Sequence, residues 1–287
     1  MPMPEVWTVE RILNWTVEHF TLKKIPEPRL SAELLLADVL QCSRVALYIQ
    51  YERILSAGER RKFRGFVQRR LKREPVQYIL GKTEFYGLPF RVTPAVLIPR
   101  PETELLVDAV LEYFKQEEYI SPRILDIGTG SGCIAISLAK NLPDADIRAN
   151  EKSTEALQIA RQNAELNDVR IRFDEGDIFT LYGNLSGRFD VVVSNPPYVA
   201  MGERDSLAPE LINYEPHPAL FSGEIGLEFY EGLLKILPDL LNENGRVFLE
   251  AGYNTAGAVK ELYHNEKYTV RVKKDYNQID RILIIER

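Results

Sequence analysis

The chain has 287 residues, 45% of them hydrophobic, enough for one large domain or for a standard domain with a smaller companion, each burying its own core. Its 36 basic and 42 acidic residues give a formal charge of −6, which argues against broad electrostatic attraction to nucleic acid and leaves only a local patch for such contact. Cys42 and Cys133 lie far apart without metal-ligand spacing, so neither a disulfide framework nor a zinc site is expected, and a reducing compartment, the cytoplasm, is.

The N-terminal stretch MPMPEVWTVERILNW lacks a basic segment followed by an apolar core and a small-residue cleavage site. No apolar run approaches the roughly 18 residues of a membrane span, so the expectation is a soluble, unprocessed chain without membrane contact. Up to residue 75 the pattern is helical, with apolar residues three and four apart at Val9, Ile12, Leu13 and Thr16 and again at Leu34, Leu35, Val39 and Leu40. Residues 51–75 carry nine basic side chains against three acidic ones, beside an apolar stripe of Phe63, Phe66, Val67 and Leu71. That pattern reads either as a solvated helix face or as a docking surface for an acidic partner.

Residues 76–100 change texture: in VQYILGKTEFYGLPFRVTPAVLIPR, aromatic and β-branched residues alternate with Gly and Pro, as in a hairpin connector. A third part, 101–287, opens on a helix whose first turn holds Pro101, Glu102 and Glu104, as the backbone dipole favours. From Arg123 strands and helices alternate: RILDI, a helix from Ser131, ADIRAN, a helix from Thr154, VRIRF, FDVVVSN, a helix near 227–241, GRVFLEA, a helix near 255–263, YTVRV and RILIIE. Such alternation predicts an α/β fold, a mostly parallel sheet between helices.

Gly128, Gly130 and Gly132 stand at the junction of the first strand and helix of this part, where missing side chains let a ligand approach the helix N-terminus. A dinucleotide fingerprint would place its third glycine at Cys133, which disfavours NAD or FAD. The pattern D-x-G-x-G-x-G, from Asp126, resembles instead the first motif of class I methyltransferases, which bind S-adenosyl-L-methionine. Thr129 and Ser131 join the glycines as cofactor contacts on that resemblance. Glu151 follows Gly128 by 23 residues, at the end of the second strand, where a carboxylate can accept bonds from both ribose hydroxyls. The resemblance also implies that Asp177 reads the adenine amino group with Ile178 against the ring. Asp126 either faces the methionyl end or fixes the loop by accepting backbone N–H bonds.

SNPPY, at 194–198, interrupts an apolar strand with two prolines that cannot extend a ladder. It falls at the carboxyl edge of the sheet, where ligands of open α/β folds sit. Among methyltransferases this proline turn is associated with methylation of planar nitrogens. The lone pair of an amide or exocyclic amine is delocalised, so methyl transfer requires that it be localised and aimed. The Asn195 side-chain oxygen and the Pro196 carbonyl can accept the two N–H bonds, and Tyr198 can cover the planar face, with Pro197 stiffening the turn.

Three stretches together, EPVQYILGKTEFYGLPFRVTPAVLIPRPETELLVD (74–108), LDIGTGSG with SNPPY, and LAPELINYEPHPALFSGEIGLEFY (207–230), resemble the release factor glutamine methyltransferases, the PrmC/HemK family. The resemblance implies a Rossmann-like, seven-stranded, mostly parallel sheet behind a small all-helical N-terminal domain and a β-hairpin connector. It implies methyl transfer to the side-chain amide nitrogen of the glutamine in the Gly-Gly-Gln loop of peptide chain release factors, with the helical part helping to dock the factor and no direct nucleic-acid contact. Arg100 and Glu102 become substrate-side candidates. Departures from the family pattern are Glu151 in place of aspartate, Ile178 in place of an aromatic, Thr255 in place of glutamine, and Gln278 in place of a glycine.

Two other readings stand beside it: a nucleic-acid methyltransferase acting on the amino group of adenine or guanine, and a catalytically silent cofactor-binding scaffold. His19, His217 and His264 are scattered and read as surface or loop residues. Cys133 reads as small-residue packing under the cofactor, and Ser194 lacks a base to make it a nucleophile.

Overall fold

The computed structural model describes residues 6–116, 120–185 and 187–286; the first five residues, on which the leaderless reading partly rests, lie outside these. Two compact units are formed, one from residues up to Gly81 together with Pro209–Tyr214, the other from Lys82–Ala208 and Glu215–Arg287.

The first unit holds α1 (Val9–Leu22), α2 (Pro28–Leu40), α3 (Arg44–Ile49), α4 (Ala57–Leu71) and α5 (Val76–Leu80). Local chemistry starts these helices: the Thr8 hydroxyl accepts from Arg11 N–H, and Ser56 and Glu59 form a reciprocal capping box at α4. Val9, Leu13, Phe20, Leu35, Leu36 and Phe63 form the centre of the core. The unit runs past residue 75 because Val76 and Ile79 are buried in that same core. The basic stretch is less uniform than its sequence implies. Arg70 is only 5% exposed and, with Arg73, pairs with Glu210 of the Pro209–Tyr214 segment, at 3.2 and 3.4 Å. Arg53, Lys62 and Arg69 are also paired, with Glu59, Asp38 and Glu74. Arg60, Arg61 and Arg64 have no ion-pair partner among the described residues, and they rim a groove of about 780 Å³ whose walls include Trp7, Trp15 and Phe63.

The second unit begins with an antiparallel hairpin, β1 (Lys82–Phe85) and β2 (Leu88–Arg91). Tyr86 and Gly87 turn it with φ of 53° and 70°, two positive values that suit the right-handed twist of a two-residue hairpin. A seven-stranded sheet follows in the order β5-β4-β3-β6-β7-β9-β8, comprising β3 (Arg123–Ile127), β4 (Asp146–Glu151), β5 (Arg172–Glu175), β6 (Phe189–Ser194), β7 (Leu241–Glu250), β8 (Thr269–Lys274) and β9 (Asp280–Glu286). The first five of these pair in parallel, and β9 runs antiparallel to both β7 and β8. Alternate residues feed two cores: Ile124, Val191 and Val193 face α6 (Pro101–Gln116) and α7 (Cys133–Asn141), while Leu125, Val192 and Val247 face the helix Glu228–Leu240. Val191, Val192 and Val193 are fully buried, each stabilising the sheet by about 1.5–3 kcal/mol.

Two strands depart from their expected ranges. VRIRF pairs only from Arg172, because the chain is still closing α8 (Thr154–Leu166): Asp168 has a φ of 51° and Val169 N–H bonds back to the Ala164 carbonyl. β7 starts at Leu241, before GRVFLEA, with a register shift opposite β6 between Phe189 and Val191. No helix among the described residues is long and apolar enough to cross a membrane.

Candidate active site

Chain order reverses direction across the sheet between β3 and β6, and there a cavity of about 580 Å³ opens at the carboxyl ends of β3, β4 and β6. The glycine loop after β3 forms its floor, anchored by Gly128 and Thr129 N–H bonds to the Asn150 carbonyl at 2.9 and 3.0 Å. Gly128 and Gly130 have positive φ, and a Cβ on either would point into open space, so their missing side chains leave room for a ligand. Gly132 differs: a Cβ there would meet Ile136 at 2.9 Å and Ala160 at 3.4 Å. A side chain at Gly132 is thus excluded by close helix packing as well as by its φ of +83°.

Thr129, Ser131, Glu151, Asp177 and Ile178 all line the cavity. Glu151 ends β4; its two oxygens accept from Gly130 N–H and Ser153 N–H, both at 2.9 Å, and each keeps a second acceptor site for a ligand hydroxyl. Asp177 accepts from Phe179 N–H at 3.0 Å and pairs with Lys152 at 2.9 Å. The bond from Lys152 holds its carboxyl below the ordinary range. Asp126 stands near the end of β3. It is fully buried beneath the loop and accepts from the Thr129 hydroxyl at 2.6 Å, so it fixes the loop from below. Burial pushes its carboxyl up to about 7, and its Oδ1 is buried without a hydrogen-bond partner among the described residues.

The proline turn leaves β6 at Ser194, whose hydroxyl donates to the Ile127 carbonyl at 2.7 Å and so ties β6 to β3. Asn195, Pro196 and Pro197 line the cavity. Tyr198 does not: its ring lies against Gly252, where a Cβ would stand 2.7 Å from Cδ2. Burial pushes its hydroxyl up to about 12. Arg100 lines the cavity, and Glu102, in the first turn of α6, does not. Both are close enough to act electrostatically on Tyr198 and on Glu250.

Several wall residues escape sequence reasoning. Phe179 and Phe229, in edge contact at 5.4 Å, supply the aromatic surface that Ile178 lacks. The sequence signal for the first is its place directly after Ile178. Pro216, Pro218 and Phe221 close another side, and Val199 pairs with Phe221 across an isolated bridge. Asn163, buried on α8, donates to Ser131 and Arg91 carbonyls and accepts from Arg91 N–H, joining the hairpin to the glycine loop. Cys133 also lines the cavity, but burial pushes its thiol up to about 12, so it is a packing residue rather than a nucleophile. His19 stacks on Trp15 and His217 touches Phe221; no metal-holding cluster of His, Cys, Asp or Glu exists among the described residues.

Residues 11–81 match the PrmC N-terminal domain and residues 102–225 the Methyltransferase small domain. A release factor glutamine methyltransferase of Chlorobaculum tepidum is 43% identical over 288 residues, covering 98% of each chain. One of Geobacter sulfurreducens is 41% identical over 281 residues, covering 98% of this chain and 97% of the relative. The chain belongs to the release factor glutamine methyltransferase family. A solved methyltransferase of Pyrococcus furiosus, 26% identical, superposes with a TM-score of 0.52 over 70% of this chain and 89% of its own. The family's methyltransferase core therefore occupies the sheet unit, and its N-terminal domain occupies the helical unit.

The cavity residues fit S-adenosyl-L-methionine. Its ribose diol needs a carboxylate with free lone pairs, which Glu151 offers. Its adenine needs an apolar and aromatic slot, which Ile178 and Phe229 offer. Its methionyl end needs exposed loop backbone without Cβ atoms, which Gly128 and Gly130 offer.

Proposed function

We propose that this chain methylates the side-chain amide nitrogen of the glutamine in the Gly-Gly-Gln loop of peptide chain release factors, with S-adenosyl-L-methionine as donor, and so acts in translation termination. The observation that carries the reading is Asn195 standing on the wall of a cavity whose other walls suit that cofactor. The cofactor supplies an electrophilic methyl on a sulfonium. Asn195 Oδ1 and the Pro196 carbonyl accept the two N–H bonds of the glutamine amide, which localises its lone pair and aims it at that methyl. Tyr198 and the Arg100–Glu102 stretch border the acceptor side. Glu151 grips the ribose, and Asp177 with Ile178 holds the adenine.

The partner is read through the helical unit. Its groove combines two tryptophans with three arginines that have no ion-pair partner among the described residues, a surface suited to an acidic, partly apolar segment of the release factor. A nucleic-acid amino methyltransferase would use the same proline turn, but the net charge of −6 gives it no general attraction for its substrate.

Purified protein is incubated with labelled cofactor and a bacterial-type release factor, beside a copy whose Gly-Gly-Gln glutamine is changed to alanine. Label on the first alone is the expected outcome. Label on neither, with added RNA or DNA labelled instead, reverses the reading.

A further inference from the structure

Asn195 reaches beyond the cavity to a buried pair of side chains that no part of the reaction above uses. Its Nδ2 donates to the Thr103 hydroxyl at 3.1 Å, and the Thr103 hydroxyl donates to Glu250 Oε2 at 2.7 Å. Thr103 sits in the first turn of α6 and is 2% exposed; Glu250 ends β7 and is 1% exposed. Strand register brings the ends together, since Ser194 of β6 pairs with Leu249 of β7 and the next residues are Asn195 and Glu250. The Tyr230 hydroxyl donates to the Glu250 carbonyl at 2.8 Å and fixes that strand end. A carboxylate buried this deeply costs several kcal/mol, so its retention calls for a function or for full satisfaction of its bonds.

A hydroxyl has one proton to give. Thr103 gives it to Glu250, and only lone pairs are left to face Asn195. An amide oxygen turned toward those lone pairs would be repelled, whereas the amide NH₂ is bonded. The pair therefore sets which way the Asn195 amide lies, with its NH₂ toward the protein and its oxygen free for an acceptor. We infer that Thr103 and Glu250 are positioning residues that lock the Asn195 amide with Oδ1 facing the substrate nitrogen. This rests on the assignment of Asn195 as the receiver of the glutamine N–H.

The lock is sensitive to protonation. Once Glu250 carries a proton it can itself donate to Thr103, whose hydroxyl is then free to donate to Asn195 Oδ1 and admit the wrong orientation. Burial pushes Glu250 up to about 7. The groups facing it are Thr103 on α6, Arg281 on β9, Arg100 and Glu102 before and within α6, Tyr198 on the turn, Tyr230 on the helix behind and Cys133 on α7. Of these, Arg281 and Arg100 favour the charged form and Glu102 opposes it.

The test measures steady-state methylation of a release factor by the parent chain, Thr103→Val, Thr103→Ser and Glu250→Gln at about pH 6 and about pH 8. In Thr103→Val turnover falls about tenfold or more, with KM for both substrates nearly unchanged, and Thr103→Ser restores most of it. The parent loses turnover toward the acid side. Glu250→Gln, which still accepts from Thr103 but cannot titrate, keeps its turnover there. Parental turnover in Thr103→Val, or the parental acid limb in Glu250→Gln, overturns the inference. Absence of transfer by the parent chain instead overturns the assignment of the acceptor amide, and the lock with it.

Discussion

Arg100 and Glu215 form an ion pair at 2.5 Å that joins the stretch before α6 to the Pro216–Phe221 wall of the cavity. The Glu215 side chain is 3% exposed and that of Arg100 32%. Burial raises the Glu215 carboxyl, and Arg100 opposes the rise, so the arginine is what makes the buried charge tolerable. Arg100→Ala is expected to cost about 2–3 kcal/mol, below the range for removing a partner from a fully buried pair because Arg100 is a third exposed. Denaturant unfolding checks the loss. Cofactor affinity should fall with it, as the wall loosens, and Glu215→Gln should cost less than Arg100→Ala because the charge it leaves unpaired, on Arg100, is a third exposed and reaches water, whereas Glu215 is buried.

Asn195→Ala should lower turnover about 10²- to 10³-fold, the range for removing one preorganised hydrogen-bonding group from a reacting centre. Cofactor binding, measured by calorimetry, should change little, since glycine loop and Glu151 remain. Parental turnover in this variant would sink the proposed role of the amide.

How far these residues could be read from sequence follows from whether their signal is local. RILDI is a strand over the same five residues because Ile124, Leu125 and Ile127 stand between a Ser-Pro turn and a glycine loop, a bounded apolar segment that is read locally. The glycine loop, Glu151 and Asn195 were legible for a related reason: each is pinned to a strand end, and strand ends in a parallel sheet share one edge. Asp126, near the end of β3, bonds the Thr129 hydroxyl from below and Gly132 packs closely on Ile136 and Ala160, contacts that spacing does not encode. Asn163 gives a faint signal, an amide among Ala156, Leu157, Ala160 and Ala164 on the buried face of α8. Glu250, Glu215 and Phe229 give none, because their roles depend on register and on segments far away in sequence.

Glu151→Ala should weaken cofactor binding about 10- to 100-fold, the effect of losing paired charge-assisted bonds to a diol. The Gly130 N–H also loses its acceptor, which loosens the loop itself. Glu151→Asp should lie between the two, because the shorter side chain cannot both hold Gly130 and reach the same ligand atoms. Calorimetric titration with the cofactor and with its demethylated product separates the three proteins.

Stability should fall as pH rises from about 5 to about 7.5. Asp126 and Glu250 are both pushed up to about 7, chiefly by burial, so their folded-state values exceed those of the unfolded chain. A group raised in this way stabilises the fold fully below its unfolded value, and the contribution is lost as pH climbs through the folded one. Carboxyls held low, Glu33 and Asp177 among them, complete their opposite effect below about pH 5 and do not interfere. Thermal melts of the parent should show the decline, amounting to a few kcal/mol. Asp126→Asn should flatten it in part and leave the share due to Glu250.

Arg60→Glu with Arg64→Glu tests the groove of the helical unit. Neither arginine has an ion-pair partner among the described residues, so reversal breaks no ion pair there, and thermal stability should stay within about 0.5 kcal/mol of the parent. If an acidic segment of the release factor docks there, KM for the whole factor should rise about tenfold or more at low salt, and the difference should shrink as salt is added. KM for the cofactor should not move. A short peptide carrying only the Gly-Gly-Gln loop has no such segment and should be methylated equally by both proteins, so an equal loss on peptide and factor would place the effect in the catalytic unit and remove the groove from substrate recognition.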